Sequence, residues 1–209
     1  MYAGTLPDYL FKKVDLIFET IYRYVKEDAY MSYKEEMGMS RKSEVNWGKE
    51  SVMNIKIAEE KDFDDVKKIT RETIMEIYPM YYPYGAVLFF AEHHSDENIM
   101  RDIRTGIVYL LISDEGIPVG TVTLTNNEID RLFVLPSFQH RGYGRTLMDM
   151  AEEKISSAYD VIVLHASLPA KSIYLKRGYH EVDYIKIDTG HCDYLCADVM
   201  EKKIEGDNE

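Results

Sequence analysis

Cysteine is scarce in this chain: two residues in 209, Cys192 and Cys196, close together in one late segment. So thin a supply excludes a disulfide-stapled secreted scaffold and fits reduced thiols. Apolar runs are short as well. The longest, Ala86–Ala91 and Ile107–Ile112, are core-sized and fall far below the about eighteen residues that a membrane helix needs, so no membrane partner is expected. The first nine residues lack the charged region and apolar block of a secretory signal, which points to a cytoplasmic protein. Positive charge is also in deficit, with 25 Lys and Arg against 37 Asp and Glu and a formal net charge of -12. No nucleic-acid partner is expected, since such a partner calls for a basic face. With 12 Gly and 6 Pro beside 45% hydrophobic residues, collagenous, low-complexity and wholly disordered readings are excluded too.

What is present is enough for one mid-sized domain with an accessory element. Residues 1–52 read as that element. Leu10, Phe11, Val14, Ile17, Phe18, Ile21 and Val25 recur at spacings of three and four with charges between them, the pattern of an amphipathic helix. From Met37 to Val52 the rhythm fails among Gly, Ser and Asn, which reads as a linker. The helix could cap its own domain, swap across a homodimer or recruit a partner. Nearly all the net negative charge falls in residues 53–209, a body that weakly favours cationic ligands such as amines.

That body reads as α+β. Asn54–Ala58 forms a strand, and Phe63, Val66, Ile69, Ile74 and Ile77 keep a helical rhythm until Pro79. A tyrosine-rich turn, Tyr78–Tyr84, leads to helical pieces at Ala86–Glu92 and Glu97–Arg104; its rings either line a pocket or pack helices. Three β-rich runs, 107–113, 117–124 and 128–135, are joined by Asp-Glu-Gly and Asn-Asn turns and predict an antiparallel meander. Next come a glycine loop, a helix from about Leu147 to Ala158, a strand at Val161–Leu164, a short helix at Ala170–Arg177 and a final strand pair, 182–187 and 194–201.

The glycine loop carries the chemistry. A helix N-terminus presents backbone N–H groups and the positive end of its dipole, so Gly142 and Gly144 before such a helix suit phosphate oxygens. A dinucleotide fingerprint would need a third glycine where Leu147 stands, and no Gly-Lys-Ser/Thr for a nucleoside triphosphate follows.

Leu132, Val134, Pro136, Gln139, Gly142 and Gly144 instead match, in register, the pattern L-x-V-x-P followed by Q/R-x-x-G-x-G/A. In this the chain resembles the GNAT superfamily of acyl-CoA-dependent N-acetyltransferases. A second segment resembles the family's N-x-x-A-x-x-x-Y-x-x-x-G-F, here Ser167, Ala170, Tyr174, Gly178 and Tyr179, with Ser in place of Asn and Tyr in place of Phe. The resemblance spans roughly residues 54–203. It implies a mixed, mostly antiparallel sheet flanked by helices, and acetyl-CoA as co-substrate. It also implies that Leu132, Phe133 and Val134 offer backbone groups to the thioester and pantetheine, with the Leu132 N–H at the developing oxyanion, where a donor is worth ~3–4 kcal/mol. Gln139, His140, Arg141, Gly142, Tyr143, Gly144 and Arg145 would cradle the pyrophosphate, and Ser167, Ala170 and Tyr174 would lie along the pantetheine.

Direct attack on a thioester needs a neutral amine, whereas a lysine-like amine has a pKa of ~10.4. Glu128 stands where a branch of the family places a catalytic glutamate, which makes it the general-base candidate; its alternative is a solvent-facing hairpin residue. Tyr174 resembles the family's general acid toward the departing thiolate. The spacing of His93, His94, His191, Cys192, Asp193 and Cys196 is poor for zinc, so no metal is expected. The acceptor could be a polyamine, an amino acid, an aminoglycoside-like compound or a protein amine. A reading of a different class is a CoA-binding regulatory module with vestigial activity.

Overall fold

The computed structural model describes residues 54–204; the predicted N-terminal helix and linker lie outside the described residues. Among the described residues seven strands form one sheet: β1 (Asn54–Ile57), β2 (Val108–Ile112), β3 (Pro118–Thr125), β4 (Glu128–Val134), β5 (Val161–Ala166), β6 (His180–Asp188) and β7 (Tyr194–Lys203). Their spatial order is β1-β2-β3-β4-β5-β7-β6. Every pairing is antiparallel except β4 with β5. The parallel pair needs a crossover connection, and α4 (Tyr143–Ser156) supplies it. Helices α1 (Phe63–Ile77), α2 (Tyr84–His93) and α3 (Asp96–Arg104) lie between β1 and β2 in the chain, and α5 (Lys171–Lys176) follows β5.

Strand alternation divides the apolar residues into two cores. Val66, Ile69 and Ile74 of α1, Ile99 and Ile103 of α3, and Val108 and Leu110 of β2 pack on one face. On the other, Leu147, Met148, Ala151 and Ile155 of α4 cover Leu111, Val119, Val122, Ile162 and Leu164. Burying each of these large side chains contributes ~1.5–3 kcal/mol. Gly120 lets α4 sit close on β3: a Cβ there would fall 2.9 Å from Leu147 Cδ1 and 3.2 Å from the Phe133 carbonyl oxygen. The Ser95 hydroxyl accepts from Asn98 N at 3.3 Å and caps α3, whose first turn carries Asp96 and Glu97 and whose last carries Arg101 and Arg104, in accord with its dipole.

Two irregularities shape the middle of the sheet. In β4, Thr121 faces Phe133 and Thr123 faces Asp130, so Arg131 and Leu132 together oppose the single residue Val122. This is a β-bulge, and Arg131 adopts a left-handed φ of 48° within it. The buried Asp102 carboxylate of α3 accepts from the buried Arg131 guanidinium and holds that conformation. Second, β4 and β5 pair only at Glu128 with Val163 and Ile129 with Leu164, although both strands continue. Beyond those two rungs the sheet opens into a cleft.

Candidate active site

The residues expected to cradle a pyrophosphate, Gln139 to Arg145, stand after β4. A short 3-10 turn, Pro136–Phe138, ends β4, and His140 (φ 61°) and Gly142 (φ 93°) then turn the chain through left-handed conformations into α4. The Gln139 amide donates to the Val134 carbonyl at 3.0 Å and fixes the start of this loop. Arg141 donates to the Ser137 carbonyl at 3.0 Å and lies 5.0 Å over the Phe138 ring. Among the described residues no side chain caps α4.

The two glycines fit a bound phosphate group. Among the described residues a Cβ at Gly142 would meet nothing within 4 Å, and one at Gly144 only Val134 Cγ2 at 3.8 Å. Packing does not require Gly144, and alanine in a helix would be favoured by ~1 kcal/mol. A bare backbone that the fold itself does not need suits close approach by a ligand, and the dipole of α4 favours an anionic one.

On the sheet face that meets α2, the cleft widens into a cavity of about 300 Å³. Leu132 and Phe133 of the bulged strand, Ser167 and Ala170 of the β5–α5 turn, and Tyr174 of α5 line one side. Asp130, Arg131, His165, His93 and His94 line it too, with Phe89, Phe90, Ile185 and Leu195 making an apolar wall. Of the residues predicted from sequence, the structure thus brings Leu132, Phe133, Ser167, Ala170 and Tyr174 to one cavity. Residues Gln139 to Arg145 lie outside it, in the loop and first turn of α4. The Val134 carbonyl is already committed: it accepts from the Thr73 hydroxyl at 3.1 Å as well as from Gln139.

Glu128 is not among the cavity-lining residues. Its Oε1 lies 2.9 Å from His165 Nδ1, and this carboxylate holds the imidazole above its ordinary range, against part burial. Asp130, the next residue on the same strand face, does line the cavity. Burial pushes its carboxyl up, opposed by the Arg131 guanidinium, and its Oδ1 accepts from Arg131 N at 2.8 Å. Tyr174 is 9% exposed, and burial, with Asp130 nearby, pushes its hydroxyl up to about 12, so it keeps its proton at neutral pH. Burial drives His94 down to about 4, against the Phe90 carbonyl 2.7 Å from its Nδ1. That contact assigns the proton to Nδ1 of a neutral ring.

The tyrosine-rich turn does both things considered for it. Tyr78 and Tyr82 are buried and Tyr78 lines the cavity, while Tyr81 and Tyr84 are exposed. Tyr78 lies beside the Ser167 hydroxyl, and the Tyr82 hydroxyl accepts from Leu168 N at 2.7 Å, so this turn holds the one that follows β5. Asp193, which stood in the Cys/His-containing segment near the end, accepts from Gly85 N at 2.8 Å at the start of α2. Among the described residues no three His, Cys, Asp or Glu converge as metal ligands. Sequence reasoning missed His165. Its signal was available: one polar side chain in the apolar strand Val161–Ala166, on the face that alternation leaves uncovered.

Comparison with known proteins agrees with this geometry. The family described as Acetyltransferase (GNAT) domain matches residues 77–193, more than half of the chain. A GCN5-related N-acetyltransferase of Rhodopseudomonas palustris is 20% identical, with a TM-score of 0.65 over 73% of this chain and 96% of its own. The PaiA N-acetyltransferase of Thermoplasma acidophilum, solved in complex with coenzyme A, is 19% identical, with a TM-score of 0.59 over 73% and 99%. YncA of Salmonella typhimurium, solved with its cofactor acetyl-CoA, is 14% identical, with a TM-score of 0.55 over 74% and 95%. Among curated proteins no match is found. The bulged and splayed central strands, the glycine turn into α4 and the family match together place this chain in the GNAT acetyltransferase family.

Proposed function

We propose that this protein transfers an acetyl group from acetyl-CoA to a primary amine by direct attack within a ternary complex. The observation that carries the reading is the separation of β4 from β5 after Leu164, which opens onto a cavity shared by Leu132, Tyr174, Asp130 and His165. Acetyl-CoA supplies the electrophilic thioester carbonyl. Its diphosphate is assigned to the backbone of Gln139–Arg145 and its pantetheine arm to the cleft bordered by Leu132, Phe133, Ser167 and Ala170.

The cavity's residues divide the chemistry. The bulge interrupts regular pairing at Leu132, whose N–H is assigned to the carbonyl oxygen as negative charge develops there. Tyr174 holds a proton toward the departing sulfur. A tyrosine near 12 is a weak acid beside an ordinary thiol of ~8.5, but a thiolate formed in the same dry cavity is made more basic by the same desolvation. Asp130 and His165 line the wall through which the amine loses its proton, and Glu128 stands behind the imidazole. Asp130 attracts the incoming ammonium, and the apolar wall of Phe89, Phe90, Ile185 and Leu195 favours an amine carried on an apolar body over a polyamine.

The test is thiol release from acetyl-CoA across a panel of arylalkylamines, amino acids and polyamines, beside calorimetric binding of CoA. Release with an apolar amine supports the reading. Binding of CoA with no release for any amine would support a CoA-binding module instead.

A further inference from the structure

Proton removal is the step for which the cavity offers several groups, and their geometry separates them. The last rung between the parallel strands is Ile129 with Leu164. Asp130 and His165 are the next residues on β4 and β5, so they stand on either side of the point where the sheet opens. Three histidines line the cavity, and among the described residues only His165 has a carboxylate partner, Glu128 Oε1 at 2.9 Å from Nδ1. With Nδ1 committed to Glu128, Nε2 is the nitrogen left to meet a substrate. We propose that His165 Nε2 is the group that takes the proton from the acceptor amine, and that Glu128 is a positioning residue that acts through the imidazole. This rests on the acetyl-transfer reading above.

The competitors are less suited. His94 also has its Nδ1 occupied, but by the neutral Phe90 carbonyl rather than a carboxylate, and burial drives it down to about 4, so its ring holds an added proton poorly. Burial pushes the Asp130 carboxyl up, but its Oδ1 already accepts from Arg131 N and its Oδ2 is 3.9 Å from Arg131 Nε, so its oxygens are held toward the bulge and its part is to attract the ammonium. Among the described residues the charged and titratable groups around His165 and the cavity it lines are Glu128 and Asp130 of β4, Arg131 of the bulge, His93 and His94 at the end of α2, and the tyrosines Tyr78 and Tyr174. The proton balance is complete with these groups. The ammonium gives one proton to His165 Nε2, and the freed nitrogen lone pair forms the C–N bond at the thioester carbonyl. As the carbonyl re-forms, the C–S bond breaks and the sulfur takes the Tyr174 proton. The second proton of the amide nitrogen returns to Tyr174 through solvent, and the imidazolium releases its proton to solvent. The sum is ammonium plus thioester giving amide, thiol and one proton.

Only a neutral imidazole accepts a proton, and the neighbouring Glu128 raises the pH at which that form predominates. Turnover at saturating substrates should therefore rise with pH along a limb centred above the ordinary histidine value. His165→Asn should lose that limb and lower kcat ~100-fold, with CoA affinity unchanged within twofold. Glu128→Gln should move the limb to lower pH and reduce the plateau less. Asp130→Asn should raise the amine KM and keep the limb. A readout independent of activity is the imidazole NMR titration of His165 in the protein without ligands, which should fall to or below the ordinary value in Glu128→Gln. If wild-type protein acetylates an amine and His165→Asn keeps its rate and pH profile, this assignment fails alone; so does it if Glu128→Gln abolishes turnover while His165→Asn does not. A wild-type protein that acetylates no amine overturns the underlying reading and this assignment with it.

Discussion

The backbone N–H of Gly85 donates to the carboxylate of Asp193 at 2.8 Å, across 108 positions of sequence. This contact ties the β6–β7 hairpin to the start of α2, and both elements wall the cavity. It also gives α2 an N-terminal acceptor that its own N-cap residue, Pro83, does not provide.

Gly85→Ala should loosen this wall. An added Cβ would lie 2.3 Å from Asp193 Oδ1, 2.5 Å from Thr189 Oγ1 and 2.6 Å from His191 Cβ, so the hairpin must shift. Overpacking of this kind costs ~1–3 kcal/mol. Chemical denaturation should show that loss and the amine KM should rise, while acetyl-CoA binding, centred on the other side of the cleft, should hold. Wild-type stability and KM in this variant would show that the hairpin does not depend on the contact.

Tyr174→Phe removes the buried hydroxyl and leaves the ring that packs 5.9 Å from Tyr179. Turnover should fall ~100-fold with little change in acetyl-CoA affinity. Unchanged turnover at saturating substrates would discard the role given to this residue.

Asp102→Ala leaves the Arg131 guanidinium buried without its carboxylate; the two side chains are 9% and 7% exposed. Breaking a buried pair this way costs ~3–5 kcal/mol. Because Arg131 sits in the bulge that carries Leu132, turnover should decline beyond what the unfolded fraction explains. A stability change below ~1 kcal/mol would contradict this account of the bulge.

His94 makes the fold sensitive to acid. Its folded value of about 4 lies below the ordinary 6.5, so the unfolded chain binds the extra proton first. This contribution to stability is complete above pH 6.5 and is lost as pH falls toward 4, by roughly 3 kcal/mol at most. His94→Asn keeps a donor for the Phe90 carbonyl and should flatten that part of the stability–pH curve. An equally steep curve in the variant would place the acid sensitivity elsewhere.

The local elements were readable because their causes are local. The spacing of Val66, Ile69 and Ile74 gives α1, the turn signals at 114–116 and 126–127 bound the meander, and Gly142 opens α4. The placement of β7 between β5 and β6 was not readable, since a hairpin pattern alone does not say which of its strands joins the sheet. The same holds for the site. Leu132, Ser167, Ala170 and Tyr174 were named from their sequence pattern, and all of them line the cavity. The setting of Glu128 behind His165, and the union of Asp193 with Gly85, depend on side chains brought together from distant strands and helices. No periodicity encodes such meetings.

The most direct measurement is a calorimetric titration of acetyl-CoA into the wild-type protein and into Gly144→Leu, with thermal unfolding of both ligand-free proteins. Among the described residues a Cβ on Gly144 would meet only Val134 Cγ2, at an ordinary contact distance of 3.8 Å, and the residue lies in the first turn of α4, where helix propensity favours leucine over glycine, so the variant should stay folded in the thermal control. The account predicts one-to-one binding to the wild type and at least ~10-fold weaker binding to the variant, through its side chain's intrusion on the diphosphate. No heat of association with the wild type, or equal affinity in the two proteins, would contradict it.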